Sequence, residues 1–266
     1  MNRRQLFAFV GAMIASLLLT IGLPLLAASA STVVAQSNTS LLVSTAASLK
    51  DAMEEVKGNY QKSNPGVSIN YNFGASGALM QQIHQGAPAD ILISAGKNQV
   101  DSLEQSGKLV AGTRSILVKN RLVLIVPKST VGVTSFFNLT KDNIKKIAIG
   151  EPRSVPAGEY AEQVLQKLGI FNQVKPKFVY GNNVRQVLAA VEAGNADAGL
   201  VYRTDAKISH KVKTVVAADE KYHLPIVYPM AVLKQSKKVA AAKEFLNYLS
   251  SEPAQAVFKK YGFILP

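Results

Sequence analysis

From residue 41 onward, short apolar runs alternate with stretches in which apolar side chains recur every three or four positions. Leu41 to Thr45 predicts a short buried strand. Leu49, Ala52, Met53, Val56 and Tyr60 fall on one face of a helix expected over 48–61. Asn64-Pro65-Gly66 stops that helix. Alternation predicts a strand over 67–73, followed by a helix over 76–85 that Gly86-Ala87-Pro88 ends. A third strand over 90–94 and a helix over 98–105, closed by Gly107, complete the segment. This order predicts a mostly parallel sheet covered on both faces.

A strongly apolar strand is expected over 121–126, closed by Pro127, and a looser stretch from 128 to 146 leads to a strand over 147–150. Helices over 157–168 and 183–193 enclose a strand over 177–180. Strands at 197–202 and 213–217 follow, then a second long apolar strand over 224–233 and two final helices, 237–249 and 253–260. The two long strands bracket a central block. The simplest arrangement makes 121–231 a second lobe inserted into a first lobe of 37–120 plus 232–266, with hinge strands near 121–127 and 224–233. The fold class expected is therefore α/β and two-lobed. Each lobe is a mixed, mostly parallel sheet flanked by helices, and two crossover strands join them with a ligand cleft between.

The amino terminus has a different character. Arg3 and Arg4 precede an apolar run from Leu6 to about Leu26, and Ala27, Ala28, Ser29 and Ala30 follow, with a further processing site near Ala35. A basic start, an apolar centre and a small-residue exit describe a cleaved secretory signal peptide, so 1–36 reads as leader and linker. A run of this length can also span a bilayer; Gly11, Gly22 and Pro24 within it favour cleavage. The chain has no cysteine, which excludes disulfides, thiolate metal sites, a cysteine nucleophile and a lipid-modified cysteine tether. Export without disulfides fits a periplasm. Removal of Arg3 and Arg4 with the leader leaves 28 basic against 17 acidic residues, a net +11. Such a balance raises nucleic-acid binding as a possibility. The lysines are scattered, however, and only 7% of residues are aromatic, so the charge reads as a solvated surface that attracts anions.

Four junctions share one design. Thr45-Ala46-Ala47-Ser48, Phe73-Gly74-Ala75-Ser76-Gly77, the run 152–158 and Tyr180-Gly181-Asn182-Asn183-Val184 each carry a strand end into a helix start. Helix N-termini leave backbone N–H groups without internal partners and carry positive partial charge, which suits them to anions. A serine at such a place is ordinarily just an N-cap. Two junctions in each lobe, all able to face one cleft, point to binding of an anion or small polar molecule.

These residues bring the chain to a known family. From Leu41 to Pro266 it resembles the periplasmic molybdate-binding proteins, whose type II periplasmic-binding-protein fold is the two-lobed architecture above. The resemblance lies in TAASLKDAMEE (45–55), NFGASGALMQQI (72–83), GAPADILISA (86–95), RLVLIVPK (121–128), IAIGEPRSVPAGEYA (147–161), VRQVLAAVEAGNADAGLVYRTDA (184–206), YPMAVL (228–233) and FKKYGF (258–263). It implies an oxyanion held by the hydroxyls and amides of Ser48 and Ser76, the amides of Ala157 and Val184, and the phenol of Tyr202. No metal is ligated directly. The second motif reads Gly-Ala-Ser-Gly here, so Ser76 is placed by its distance from Phe73. The resemblance further implies capture of molybdate or tungstate for an ABC importer, with a permease and its ATPase as partners. Neither an enzyme nor a cofactor is expected; membrane contact would come only through the permease, and the protein would act as a monomer. A binding protein of the same architecture for sulfate or another small oxyanion is the alternative.

Other polar residues read as structural. His84, His210 and His223 show no metal-ligand spacing. Asp90 begins a strand and is expected to make structural hydrogen bonds. Arg153 and Arg203 lie near the proposed ligand segments and either steer an anion, bridge the lobes or are simply solvated. The adjacent pairs Glu54–Glu55 and Asp219–Glu220 point apart, which excludes general acid–base pairing. No nucleophile elbow, phosphate-binding loop or dinucleotide fingerprint is present.

Overall fold

The structure, a computed structural model, describes residues 39–266. The signal peptide and linker expected over 1–36 lie outside the described residues. Ten strands follow in chain order: β1 (Thr39–Ala46), β2 (Val67–Gly74), β3 (Ile91–Ile93), β4 (Ser115–Lys119), β5 (Leu122–Pro127), β6 (Ile147–Gly150), β7 (Phe178–Gly181), β8 (Ala198–Tyr202), β9 (Val212–Ala217) and β10 (Val227–Val232). The α-helices are α1 (Lys50–Ser63), α2 (Ser76–His84), α3 (Lys97–Gln105), α4 (Pro156–Lys167), α5 (Phe171–Val174), α6 (Val184–Glu192), α7 (Arg203–Lys207), α8 (Val239–Leu249) and α9 (Glu252–Lys260). Among the described residues, no helix is long and apolar enough to cross a membrane.

The strands form two sheets of the same design. The first has the order β2-β1-β3-β10-β4 and the second β7-β6-β8-β5-β9. In each, three strands run parallel, joined by helical crossovers; a fourth strand (β10 or β5) runs against them, and an edge strand (β4 or β9) pairs antiparallel with that fourth. The chain leaves the first sheet at β4, passes through Asn120 and Arg121, and enters the second at β5. It returns between β9 and β10. These two crossing segments touch, with the Asn120 N–H donating to the Ile226 carbonyl at 3.0 Å.

Three features differ from the sequence reading. The second lobe was expected to extend to 231, but β10 pairs with both β3 and β4 and so lies wholly inside the first sheet. Its apolar run serves the first core; the return crossing comes before residue 227. β4 was not expected as a strand. It is short and at the sheet edge with only Leu117 and Val118 buried, too brief a pattern to distinguish from a loop. The one-turn helix α5 likewise buries only Val174.

Elsewhere the periodicity matches the packing. On α1, Ala52, Met53, Val56 and Tyr60 are buried, and on α6 Val184, Val187, Leu188 and Val191 form the inward stripe. Each large aliphatic chain buried this way contributes about 1.5–3 kcal/mol. Leu122 to Val126 of β5 are buried on both faces, which is why the segment reads as a continuous apolar run.

The placement of α4 depends on two glycines. It lies so close to β6 that a Cβ on Gly158 would overlap the Gly150 carbonyl, with the carbonyl carbon at 2.6 Å. Backbone on both sides leaves nothing flexible to yield. Gly158→Ala is therefore expected to lower stability by about 3 kcal/mol, read as an earlier midpoint in urea unfolding; an unchanged midpoint would refute this account of the packing.

Candidate functional site

Six strands of the two lobes, β1, β2, β3, β6, β7 and β8, lead into one small cavity between the sheets. Its size suits a compact solute. Ser48, Ser76, Ala157, Val184 and Tyr202, the five residues singled out from the sequence, all line it. Of the lining residues only Ser48, Ser76, Asn183 and Tyr202 have polar side chains, and none is charged.

The helix starts around this cavity are unusual in their caps. After β1 the chain makes a 3-10 turn, Ala47–Leu49, before α1. The residues in the N-cap position ahead of the turn, α2 and α4 are Ala46, Ala75 and Val155, none with a capping side chain. Ser76 is the first residue of α2, not its cap, so the ordinary explanation for a serine at a helix start does not apply there. Pro156 opens α4 and has no N–H, which makes Ala157 the first amide donor of that helix. At α6 a side chain does cap: Asn183 Oδ1 accepts from the Arg185 and Gln186 amides at 3.0 and 3.1 Å, leaving Val184 ahead of them at the cavity.

The hydroxyls are buried and oriented. Ser76 is 1% exposed, and its Oγ accepts from the Ala95 N–H at 2.9 Å, so its own proton is free to donate. Ser48 Oγ lies 2.9 Å from the Tyr228 hydroxyl. The Tyr202 hydroxyl is buried and finds no hydrogen-bond partner among the described residues. Burial holds its phenol well above the ordinary range, so it remains protonated. A buried, unpartnered hydroxyl lining a cavity is a group awaiting a ligand atom. The set therefore offers donors, while Ser76 Oγ and Asn183 Oδ1 already accept backbone amides.

The lobes meet around this cavity. The Gly77 N–H at the start of α2 donates to the Ser154 carbonyl at 2.9 Å, and a Cβ at Gly77 would meet that oxygen at 2.6 Å. Arg185 reaches from α6 to the other lobe, donating to the Ser48 carbonyl at 3.3 Å and to Asp51 at 2.6 Å. On its own side it pairs with the fully buried Asp205 at 2.7 Å. Burial pushes the Asp205 carboxyl up to about 6, against the opposing pull of the Arg185 guanidinium and the Tyr202 N–H. Nothing local in the sequence marks Arg185 or Asp205 beyond their places beside the predicted ligand segments.

The remaining candidates lie outside the cavity. Asp90 is structural: its carboxylate accepts from the Leu42 N–H and the Ser236 hydroxyl. Arg203 bridges the lobes by donating to the Gly262 carbonyl at 3.0 Å. Arg153 is almost fully exposed and pairs only with Glu151, so it carries no ligand contact. Among the described residues no cluster of three or more His, Asp or Glu is placed to hold a metal.

The model of one protein family, described as bacterial extracellular solute-binding protein, matches residues 41–264. Over 229 residues the chain is 47% identical to YvgL of Bacillus subtilis, assigned as an ABC transporter substrate-binding lipoprotein; the match covers 86% of this chain and 87% of that one. The molybdate-binding protein ModA of Haemophilus influenzae is 40% identical over 224 residues, covering 82% and 87%. Among solved structures, the periplasmic molybdate-binding protein of Azotobacter vinelandii aligns with a TM-score of 0.78 at 27% identity, covering 85% of this chain and 99% of that one.

The Arg185–Asp205 pair yields a stability prediction with a definite sign. A carboxyl whose folded pKa is raised to about 6 takes up protons on folding between about pH 4 and 6. Its contribution to stability is thus fullest below that window and falls as pH rises through it. Arg185→Met leaves Asp205 buried without a partner, expected to destabilise by about 3 kcal/mol at pH 8. The loss should shrink towards pH 5 as Asp205 takes up a proton. Thermal unfolding of both proteins across this range checks it; a loss independent of pH would show that the pair is not electrostatically coupled.

Proposed function

The chain belongs to the bacterial extracellular solute-binding proteins, and on that premise we propose that its cleft captures molybdate, and tungstate equally, for delivery to an ABC importer. The family binds solutes and is not one of enzymes. The observation that carries the reading is the donor-only cavity: two serine hydroxyls, a phenol and the amides of helix starts, with no charged group. Ser48, Ser76, Ala157, Val184 and Tyr202 are the proposed ligands, each through a hydroxyl, an amide or both. They bind oxygen atoms of the anion and not its metal centre.

A fully deprotonated dianion presents acceptors alone, so each of its contacts is satisfied by such a set. Protonated phosphate brings an O–H that needs an acceptor, and burying it unpaired costs about 1–3 kcal/mol. Sulfate passes that test and is excluded by size, because its shorter bonds leave some donors unmatched. Molybdate and tungstate have nearly equal dimensions and are taken alike. The negative charge is spread over helix starts and many hydrogen bonds in place of a counter-ion.

In this reading the protein works in the periplasm as a monomer after loss of its leader. It touches no nucleic acid and meets the membrane only through the permease and its ATPase. Unlike the lipoprotein relative from Bacillus subtilis, it has no cysteine to carry a lipid.

Calorimetry with molybdate, tungstate, sulfate and phosphate tests the proposal. Tight one-to-one binding of the first two with silence from the others is expected; comparable sulfate or phosphate binding would sink it. Ser48→Ala and Tyr202→Phe should each weaken molybdate by about tenfold or more, the usual effect of removing a hydrogen bond to a charged group. Gly77→Ala should fold normally, since alanine suits a helix better than glycine. Its Cβ would hold α2 off Ser154, so molybdate should bind at least about tenfold more weakly. Solution scattering should show a larger radius of gyration with ligand than in the wild type; equal radii would show that the Gly77–Ser154 contact does not set how closely the lobes meet.

A further inference from the structure

Ser48 belongs to a chain of hydrogen bonds that reaches the crossing between the lobes. Tyr228, on β10, is fully buried, with Ser48 3% and Asn120 6% exposed. Its ring stands edge-on to that of Tyr202, with centroids 5.9 Å apart at 62°. The Asn120 carboxamide has its oxygen fixed by the Arg121 N–H, which donates to Oδ1 at 2.9 Å. Its Nδ2 therefore faces the other way and donates to Thr204 Oγ1 at 2.9 Å and to the Tyr228 hydroxyl at 3.2 Å. A carboxamide nitrogen has two protons, and these contacts use both.

Proton counting then fixes the direction of the next bond. Tyr228 Oη accepts from Asn120 and has one proton to give. The acceptor within reach is Ser48 Oγ, 2.9 Å away. Burial holds the phenol well above its ordinary range, so the proton stays on it. If Ser48 donated to Tyr228 instead, the phenolic proton would be buried without an acceptor, the less favourable arrangement. With Tyr228 as donor, the Ser48 proton is left for the cavity that Ser48 lines.

We propose that Asn120 and Tyr228 form a one-way relay that aims the Ser48 hydroxyl proton into the cavity. Both are positioning residues that set the site's preference for an oxyanion with no proton of its own. This rests on the oxyanion reading above and adds to it a cause for the donor-only character of Ser48. Ser76 is turned the same way by the Ala95 amide, which no substitution can reverse. The Ser48 relay runs through side chains, so it can be reversed.

Asn120→Asp is the reversing change. A carboxylate at this position only accepts, so Tyr228 donates to it, Ser48 donates to Tyr228, and Ser48 Oγ presents a lone pair to the cavity. That lone pair suits the O–H of hydrogen phosphate. At pH 8, calorimetry of Asn120→Asp is expected to show molybdate at least tenfold weaker and phosphate binding measurable. The molybdate-to-phosphate ratio would fall by a hundredfold or more.

The second measurement is a double-mutant cycle on Ser48→Ala and Tyr228→Phe, with folding checked by circular dichroism. Tyr228→Phe alone should weaken molybdate about fivefold. Added to Ser48→Ala it should have no further effect, because Tyr228 acts through that hydroxyl. Fully additive losses would overturn the relay, as would an Asn120→Asp protein whose selectivity ratio matches the wild type. The cycle alone decides if Asn120→Asp fails to fold. If the wild type prefers a different oxyanion, the ligand assignment fails, and the cycle run with that oxyanion still tests the relay.

Discussion

Holding an anion in a cavity without a positive side chain is the constraint on which this structure turns. A lysine or arginine in the cavity would bind almost any anion. Neutral donors require that each one be placed where a ligand oxygen will be. The chain meets this by bringing helix starts to one point and leaving three of the junctions without a capping side chain. Alanine and valine in cap positions are poor choices for a helix alone. They are sensible where the amides they leave uncapped are directed at a solute.

The fold supplies the convergence. In both sheets parallel strands end on the side of the cavity, so two βα junctions from each lobe deliver helix starts there. The two sheets have the same strand pattern, although the sequence shows no repeat. The shared geometry comes from hydrophobic spacing and connection length, both of which tolerate wide changes in residue identity. Where the lobes meet, the donors of one half face those of the other. Arg185 lies at that seam, with one end of its guanidinium on each lobe. Its charge is balanced by Asp51 and Asp205, so it contributes order to the seam and little net field to the cavity.

Local signals made much of this legible. The helical stripes of α1 and α6 and the apolar run of β5 are read directly from spacing. Four of the five proposed ligands, Ser48, Ser76, Ala157 and Val184, lie on junctions that such spacing locates, whereas Tyr202 is pointed to only by the family resemblance. What could not be read was long-range. Ser48 and Tyr228 are 180 positions apart, and Asn120 and Tyr228 108 apart. Neither pair has any pattern that would connect them before the chain is folded. The boundary at β10 shows the same limit: an apolar run states that a strand is buried, not which of two sheets buries it. The short β4 failed for a different reason, since a half-exposed edge strand of five residues has too few inward positions to show a period.

The contact between Gly77 and Ser154 is made by main-chain atoms on both sides. An N–H and a carbonyl are the same in every residue but proline, so nearly any residue at 154 preserves the meeting point. Only position 77 is bound to glycine, by the room the contact demands. The lobes can thus diversify their outer faces, and with them the machinery they address, without disturbing the place where they meet. Recognition of the solute and presentation to a partner are, in this molecule, free to evolve at separate rates.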